Sequence, residues 1–293
     1  MKQTLMIDGD IVLFQIGRVT EDITVFGDDV LESYDLESAK RMIEYELNEI
    51  SKKTGYSRDE LVFAISSPTN FRKRFFPTYK SNRKNVRKPL GLAAMRQYML
   101  DNGEKYSTIM LEELEADDVM GMYASAPTGV TESNIAIYSQ DKDLKTIPAK
   151  QWDFKKNKFI YPTFMDSTRF LYFQTLIGDA VDGYKGCPKI GKVKAEKALR
   201  ECKTEIELLK ETHCLFANVY KEEAKNKLLE QIQQARIFTY LDSQMFFQYD
   251  KLYDPYEFME VTDEMLQVWE EEFRSRVVPK RVRKKQVKSK GDS

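Results

Sequence analysis

Acidic residues occur in four short groups whose spacing could support metal-ion chemistry. The groups are Asp8-Gly9-Asp10, Glu115-Ala116-Asp117-Asp118, Asp141-Lys142-Asp143 and Asp179-Ala180-Val181-Asp182. Carboxylates gathered in one cleft repel one another unless cations neutralise them, and their hard oxygens favour Mg²⁺, with Mn²⁺ as a substitute. We therefore predict that metal ligands come from Asp8, Asp10, Glu115, Asp117, Asp118, Asp141, Asp143, Asp179 and Asp182.

Each acidic group alone has an ordinary structural explanation. Asp-Gly-Asp is a common turn, and Glu-x-Asp-Asp is a common helix start, where acids complement the helix dipole. The spacing of Asp179 and Asp182 would place both carboxylates on one face at the end of a helix. The joint occurrence of all four groups at predicted strand and helix ends favours a shared site over four separate turns and caps.

Apolar periodicity predicts the elements that must position these groups. Short apolar runs indicate buried strands at residues 4–7, 61–65, 107–111 and 135–139. Helical spacing of apolar residues indicates helices at 36–53, 90–100 and 117–125. Strands that alternate with helices predict an α/β fold with a mostly parallel central sheet flanked by helices. Three acidic groups follow strands, so they should meet at the carboxyl edge of that sheet, where ligands bind.

The pattern changes after residue 165, where the chain reads as almost entirely helical. Helices are predicted at 166–177, 191–201, 204–211, 222–241 and 262–274, with a glycine-bearing turn at 181–191. We therefore expect an α/β core over 1–165, a helical subdomain over 166–278 and a basic disordered tail over 279–293.

The formal net charge of −1 conceals a strong segregation of charge along the chain. Fifteen of the 46 Lys and Arg lie in residues 72–88 and 280–290, so the remaining sequence is acidic. Basic clusters attract polyanions, above all nucleic acid. Phe75, Phe76 and Tyr79 interleave with the first cluster and could stack on bases, although the two phenylalanines could equally belong to a core. The second cluster could tether phosphates or simply keep the terminus soluble.

Composition excludes several classes of protein. A hydrophobic content of 42% is too high for a disordered chain, and no apolar run approaches the roughly 18 residues of a membrane span. Three widely spaced cysteines and the single His213 exclude a disulfide framework and a zinc site built from several histidines. Because Asp8 comes too early for a signal peptide, we predict a cytoplasmic protein.

The order of motifs resembles one family, the structure-specific 5′ nuclease or flap endonuclease superfamily, and in particular the 5′→3′ exonucleases of tailed bacteriophages. The matching motifs are Met6-Ile7-Asp8-Gly9-Asp10, Asn70-Phe71-Arg72-Lys73, Tyr79-Lys80-Ser81-Asn82-Arg83-Lys84, Glu115-Ala116-Asp117-Asp118-Val119, Ser139-Gln140-Asp141-Lys142-Asp143, Gly178-Asp179-Ala180-Val181-Asp182-Gly183-Tyr184 and Gly186-Cys187-Pro188-Lys189-Ile190-Gly191. One departure is Ser66-Ser67, where many relatives carry an aspartate.

The resemblance implies a 5′-nuclease/PIN-like fold and a Mg²⁺-dependent phosphodiesterase that cuts duplex DNA from 5′ ends, nicks or flaps. It implies catalytic roles for Asp8, Asp117, Lys80 and Arg83, and a helical arch at about residues 72–100. It also implies a helix-three-turn-helix near 183–191 that holds a duplex phosphate, often through K⁺. The DNA contacts expected from these segments are Arg72, Lys73, Tyr79, Lys80, Arg83, Lys84, Arg87, Lys88, Gly186, Lys189, Gly191 and Lys192.

Two alternative functions stay open at this point. The same chemistry could remove RNA primers from RNA–DNA hybrids, as an RNase H-type 5′ nuclease, because acidic groups do not distinguish ribose from deoxyribose. The scaffold could also serve a DNA-junction-binding protein without catalysis. The sequence predicts no membrane association and identifies no protein partner.

Overall fold

In the computed structural model, residues 3–126 and 134–277 are described, and they form a central sheet with helices on both faces. The strands are β1 (Thr4–Asp8), β2 (Glu21–Phe26), β3 (Asp29–Tyr34), β4 (Leu61–Ala64), β5 (Thr108–Ile109), β6 (Ile135–Tyr138), β7 (Lys150–Asp153) and β8 (Lys158–Ile160). The α-helices are α1 (Gly9–Thr20), α2 (Leu36–Thr54), α3 (Phe71–Phe75), α4 (Leu92–Asp101), α5 (Gly103–Tyr106), α6 (Ala116–Ala124), α7 (Phe164–Ile177), α8 (Lys192–Leu199), α9 (Glu205–Tyr220), α10 (Ala224–Ala235), α11 (Tyr240–Tyr249), α12 (Pro255–Phe258) and α13 (Asp263–Val277). Short 3₁₀ helices lie at Arg58–Glu60, Ser81–Asn85, Lys142–Thr146 and Lys221–Glu223.

The main sheet has six strands in the order β5-β4-β1-β6-β7-β8. All neighbouring strands are parallel except β7 and β8, so the predicted mostly parallel α/β fold is confirmed. The central strand β1 pairs with β4 and β6 in a register that aligns Leu5 with Leu61 and Ala136. Parallel strands point the same way, so the carboxyl ends of β1, β4 and β6 share one edge of the sheet.

Side chains alternate between the two faces of β1 and join two separate cores. Leu5 and Ile7 pack with residues of α1, α2 and α4 on one face. Met6 packs on the other face with residues of α6, including Val119. A strand that is apolar on both faces must be covered on both sides, which explains why its sequence shows a continuous apolar run rather than alternation.

The region after residue 163 is mainly helical, as predicted, with its own core. Leu171, Tyr172, Phe216 and Leu228 are almost fully inaccessible within it, and Trp269 of α13 covers them. The helix predicted at 222–241 is wrong, because the chain is extended after α10 and a capping box between Thr239 and Asp242 starts α11. The predicted domain boundaries stay predictions, and the predicted basic tail at 279–293 lies outside the described residues.

Several elements of the first part were not predicted, among them α1, the β2–β3 pair, β7 and β8. Helix α1 begins directly after β1 with Asp8 as its cap, where the sequence suggested only a turn. Strands β2 and β3 form a separate antiparallel hairpin, with Val25, Val30 and Leu31 exposed. The predicted arch region, 72–100, comprises α3, the Ser81–Asn85 turn and α4 rather than one continuous helix. Across both described ranges, no helix is long and apolar enough to cross a membrane.

Candidate active site

The carboxyl edge of the sheet encloses a cavity of about 180 Å³ lined mainly by charged side chains. Its lining includes Asp8, Asp10, Ser66, Arg72, Tyr79, Lys80, Arg83, Glu115, Asp117, Asp141, Asp143, Asp182, Tyr184, Gln234 and Ile237. Residues from all four predicted acidic groups therefore reach this cavity or its rim. The expectation that strand ends bring them together is met at this edge.

Local structure holds Asp8 at the junction of β1 and α1. One carboxylate oxygen accepts a hydrogen bond from the backbone N–H of Ile11 at 3.1 Å, and the other accepts one from the Ser139 hydroxyl at 2.7 Å. The next residue must be glycine, because a Cβ on Gly9 would lie 2.6 Å from the carbonyl oxygen of Ala64. The Asp-Gly pair is thus fixed by the close packing of β1 against β4.

Two other acidic groups lie at helix starts on neighbouring elements. Glu115 is the N-cap of α6, which places Asp117 in the first turn. Asp141 caps the 3₁₀ helix that follows β6 and accepts the backbone N–H of Asp143 at 2.8 Å. The side chain of Gln174, from α7, donates to Asp143 at 2.5 Å. The helical region after residue 163 therefore contributes directly to the wall of the cavity.

Asp8, Asp117 and Asp141 form no ion pair within the described part of the chain, and Asp143 has only a 3.7 Å contact with Lys142. Burial raises the pKa of Asp8 to about 6, and the charges of Asp10 and Asp141 act in the same direction. Burial, with the charge of Asp141, likewise raises the pKa of Asp143 to about 6. Burial and the charges of Asp8 and Asp141 hold the pKa of Asp117 well above its usual range.

The carboxylates of Asp8, Asp117, Asp141 and Asp143 suit a hard divalent cation. Their oxygens are hard ligands, and their mutual repulsion disfavours full ionisation when no cation is bound. Among residues 3–126 and 134–277, no three carboxylate, cysteine or histidine side chains are already arranged as a compact metal centre. A cation would have to draw the side chains of Asp8, Asp117, Asp141 and Asp143 together as it bound.

The same cavity is also lined by a half-buried cation. The Lys80 ammonium lies 2.6 Å from Glu115 Oε1 and 3.9 Å from Asp182 Oδ2. The Tyr79 hydroxyl donates to the second Glu115 oxygen at 2.9 Å. Burial opposes ionisation of Glu115, but the charges of Lys80 and Arg72 outweigh it and lower its pKa to about 2. A fixed positive charge thus lies in the same cavity as the unpaired carboxylates.

Three predicted metal ligands form ion pairs with cationic side chains in the described structure. Asp118 is completely buried in a two-pronged ion pair with Arg72 and does not line the cavity. Asp10 lines the cavity, pairs with Arg96 of α4 and accepts the backbone N–H of Ser66 at 3.1 Å. Asp179 lies outside the cavity, 2.5 Å from the ammonium of Lys142. The roles of these three carboxylates as metal ligands stay predictions.

The helical placement predicted for Asp179 and Asp182 is wrong. Helix α7 ends at Ile177, and both residues lie in the loop that follows it. Asp179 accepts the N–H of Val181 at 2.7 Å and organises that loop, whereas Asp182 reaches the cavity and pairs with Arg83 at 2.5 Å.

Several predicted DNA contacts are occupied within the protein. Arg72 and Tyr79 are buried at 2% and 3% exposure, so neither can meet DNA in this conformation. Gly186 is buried, and its N–H donates to Gln231 at 2.7 Å, so that group is not free for a phosphate. Arg87 pairs with Glu21 and Glu32 of the β2–β3 hairpin. Phe75 is partly exposed, which keeps its stacking role open.

Other predicted contacts are accessible and stay predictions. Lys73, Lys88, Lys189, Gly191 and Lys192 are exposed, and Gly191 is the N-cap of α8. The backbone of Lys84 lies in the Ser81–Asn85 turn. All three cysteines are free and buried, consistent with the predicted reduced thiols.

Some residues that build the site were not among the predicted site residues. Ser66 Oγ accepts the N–H of Ala116 at 2.8 Å and so ties β4 to the start of α6. Ser139 holds Asp8, and its position just before Asp141 was the only signal available for it. Arg96, Gln174 and Gln234 come from helix positions that no local pattern distinguishes.

The sequence of this chain is similar to those of known nucleases. Residues 27–167 match the family model described as 5′-3′ exonuclease, N-terminal resolvase-like domain. The chain is 32% identical over 196 residues to the exodeoxyribonuclease of Enterobacteria phage T3, covering 65% of this chain and 64% of that protein. It is 32% identical over 189 residues to the exonuclease of Escherichia phage T7, covering 63% of each.

A more distant likeness joins the chain to a bacterial enzyme. The flap endonuclease Xni of Shewanella oneidensis is 30% identical over 146 residues, covering 46% of this chain and 54% of that protein. The chain thus spans a little under two thirds of the two phage relatives' length. The resemblance to the 5′ nuclease superfamily and to its phage members, predicted from the motifs, is confirmed.

Proposed function

We propose that this protein is a divalent-metal-dependent 5′→3′ exonuclease and 5′ flap endonuclease that hydrolyses phosphodiester bonds of duplex DNA at 5′ ends, nicks or flaps. The observation that carries the proposal is the cavity itself, which the Lys80–Glu115 pair lines together with Asp8, Asp117 and Asp141. Phosphoryl chemistry needs positive charge around the phosphate, and this lining provides a fixed ammonium and carboxylates that can hold cations. The names of the relatives, exonuclease and flap endonuclease, support the same activity.

Mg²⁺ is the proposed cofactor, with Mn²⁺ as a substitute, held by Asp8, Asp117, Asp141 and Asp143. When bound, the cation supplies Lewis-acid activation of the attacking water and of the scissile phosphate. Glu115 and Asp182 would join this set only where Lys80 and Arg83 release them. The proposed K⁺ near residues 183–191 rests on the resemblance alone.

The chain's own groups orient the phosphate and stabilise charge that develops on it. The Lys80 ammonium is held by Glu115, which is itself fixed by the Tyr79 hydroxyl, so the charge is already oriented before substrate arrives. Preorganised charge of this kind stabilises a transition state more than a mobile side chain does. We expect products with 5′-phosphate and 3′-hydroxyl ends.

The duplex would lie along the exposed basic residues outside the cavity. Lys73, Lys88, Lys189 and Lys192 are accessible for phosphates, and a Cβ on Gly191 would meet no atom within 4 Å. A helix start whose backbone is unobstructed allows a phosphate to approach its N–H groups closely. We propose that the protein acts in the cytoplasm, in that of the host cell if it is phage-encoded.

Digestion of 5′-labelled blunt, nicked and flapped duplexes tests the proposal, with product lengths resolved with and without Mg²⁺. We expect Mg²⁺-dependent release of short 5′ products from DNA and none from the matched Asp117→Asn variant. Preferential cutting of the same substrates made with an RNA 5′ strand would favour the primer-removing alternative. Binding in EDTA without cleavage on Mg²⁺ addition would overturn the enzymatic proposal in favour of junction binding.

A further inference from the structure

The Ser81–Asn85 turn is joined to the loop after α7 by a set of direct contacts that we call the clasp, between residues 78–83 and 180–183. The N–H of Lys80 donates to the carbonyl of Asp182 at 2.8 Å. Arg83 donates to the carbonyl of Val181 at 3.0 Å and to the Asp182 carboxylate at 2.5 Å. These segments are about a hundred positions apart in the chain. The clasp therefore holds the part of the cavity lining that contains Lys80 against the loop that follows α7.

Asn82 lies at the centre of the clasp. Its side-chain amide donates to the carbonyl of Ala180 at 2.7 Å and to that of Val181 at 3.3 Å. The other uncharged side chain of residues 78–83 that reaches this loop in the described structure is Tyr79, whose hydroxyl donates a longer bond to Asp182 at 3.5 Å. An amide makes these bonds at any pH and without competition from phosphate, unlike the Arg83 guanidinium.

The loop that accepts the Asn82 hydrogen bonds is constrained by its own backbone contacts. Its two ends are paired through Asp179 and Tyr184, at 2.9 Å between N–H and carbonyl. Gly178 and Gly186 have φ values of 71° and 68° and pack back to back, so that a Cβ on either would lie 2.4 Å from backbone of the other strand of the loop. Such a loop has little freedom to follow a side chain that moves.

Lys80 needs this support because its backbone is in the left-handed region, at φ 52°. A non-glycine residue in that conformation is strained, and the strain persists only where neighbouring contacts impose it. The conformation turns the chain at Lys80, and the ammonium then reaches Glu115 at 2.6 Å. Gly183 permits the approach, since a Cβ there would lie 3.1 Å from the carbonyl of Thr78.

We propose that Asn82 is a positioning residue that holds the left-handed turn at Lys80 and thereby aims the Lys80 ammonium into the cavity. The kinetic consequence rests on the proposed function, whereas the structural consequence does not. Loss of the amide donor frees the turn, allows Lys80 to relax towards ordinary backbone angles and withdraws its ammonium from Glu115. DNA binding by the exposed lysines is not affected.

The test compares Asn82→Asp, which keeps the size but removes the donor, with Asn82→Ala and with the control Asn85→Ala. Asn85 lies in the same 3₁₀ helix, is exposed, and makes no side-chain hydrogen bond in the described structure. Mass spectrometry measures the rate of acetylation at Lys80 relative to the exposed Lys73 and Lys88 in each folded protein. We expect the Lys80 rate to rise about tenfold in both Asn82 variants and to stay unchanged in Asn85→Ala.

Single-turnover kinetics on a flapped duplex gives the second measurement. We expect the maximal single-turnover rate constant to fall about tenfold in both Asn82 variants, with the half-saturating enzyme concentration nearly unchanged, and Asn82→Gln to recover part of the loss. Unchanged Lys80 acetylation in Asn82→Asp would overturn the positioning role, even if the wild-type protein proved inactive. If an Asn82 variant fails to fold, Gly183→Ala, which crowds the same contact from the other side, replaces it under the same criteria.

Discussion

The Lys80 ammonium and Glu115 are joined at 2.6 Å inside a cavity where Asp8, Asp117 and Asp141 form no ion pair within the described residues. Burial opposes the charge on Lys80, but the negative charges of Glu115, Asp182 and Asp117 outweigh it and raise its pKa. Lys80 therefore stays protonated throughout the neutral range, and its charge is available to a phosphate without any proton transfer.

Replacement of Lys80 by alanine should slow cleavage far more than it weakens binding. We expect kcat on a flapped duplex to fall by about 10²–10³, the usual effect of removing one preorganised charge. The exposed Lys73→Ala provides the matched control and should raise the dissociation constant and lower the salt slope, with little change in kcat. Equal loss of binding in both variants would place Lys80 among ordinary phosphate contacts.

The division of the carboxylates into paired and unpaired sets predicts different roles in cation binding. Asp117→Asn should weaken Mn²⁺ binding, followed by electron paramagnetic resonance, by about tenfold or more. Asp179→Asn should leave it nearly unchanged, because Asp179 is neutralised by Lys142 outside the cavity. If the two variants lose affinity equally, Asp179 returns to the set of metal ligands.

The buried ion pair between Arg72 and Asp118 should dominate local stability. Arg72→Met leaves Asp118 as an unpaired buried carboxylate and should lower the free energy of unfolding by about 3–5 kcal/mol in urea denaturation. Arg72→Met combined with Asp118→Leu should recover much of that loss, because no charge is then stranded. The neighbouring exposed Lys73→Met serves as control and should change stability little.

The single histidine predicts a pH dependence of stability. Burial lowers the pKa of His213 in the folded protein, although Glu270 acts in the opposite direction. The unfolded chain therefore takes up this proton first, so the contribution of His213 to stability falls as the pH drops below about 6.5. Thermal denaturation between pH 7.5 and 5.5 should show a smaller loss in His213→Gln than in the wild-type protein. A larger loss in the variant would contradict the direction of the shift.

The strands that carry the site were predictable because buried parallel strands are short, continuous apolar runs. The runs at 4–7, 61–65 and 135–139 became β1, β4 and β6, and the acidic groups that follow β1 and β6 reached the same cavity. Helix α1 was missed because its first turn is Asp-Gly-Asp, a sequence equally typical of a loop. Gly27-Asp28, between two stretches that contain β-branched residues, is a hairpin signal. The many acidic residues around it obscured the strand pattern of β2 and β3.

The roles of individual acids were not predictable from local sequence. Asp117 and Asp118 are adjacent, yet one faces the cavity and the other is buried against Arg72. Which of them is free depends on a guanidinium 46 positions earlier in the chain, a contact that only the tertiary structure defines. The same applies to Asp10 and Arg96.

The contacts around Asp118 also join the first part of the chain to the segment after α10. Asp118 accepts the N–H of Phe238 at 3.0 Å, Arg72 donates to the carbonyl of Arg236 at 2.5 Å, and the rings of Phe71 and Phe238 stack with centroids 4.5 Å apart. A fragment ending near residue 165 would lose these partners next to the cavity. The sheet and the segment after α10 should therefore melt in one cooperative transition, and truncation at that point should yield an aggregation-prone polypeptide instead of a minimal nuclease.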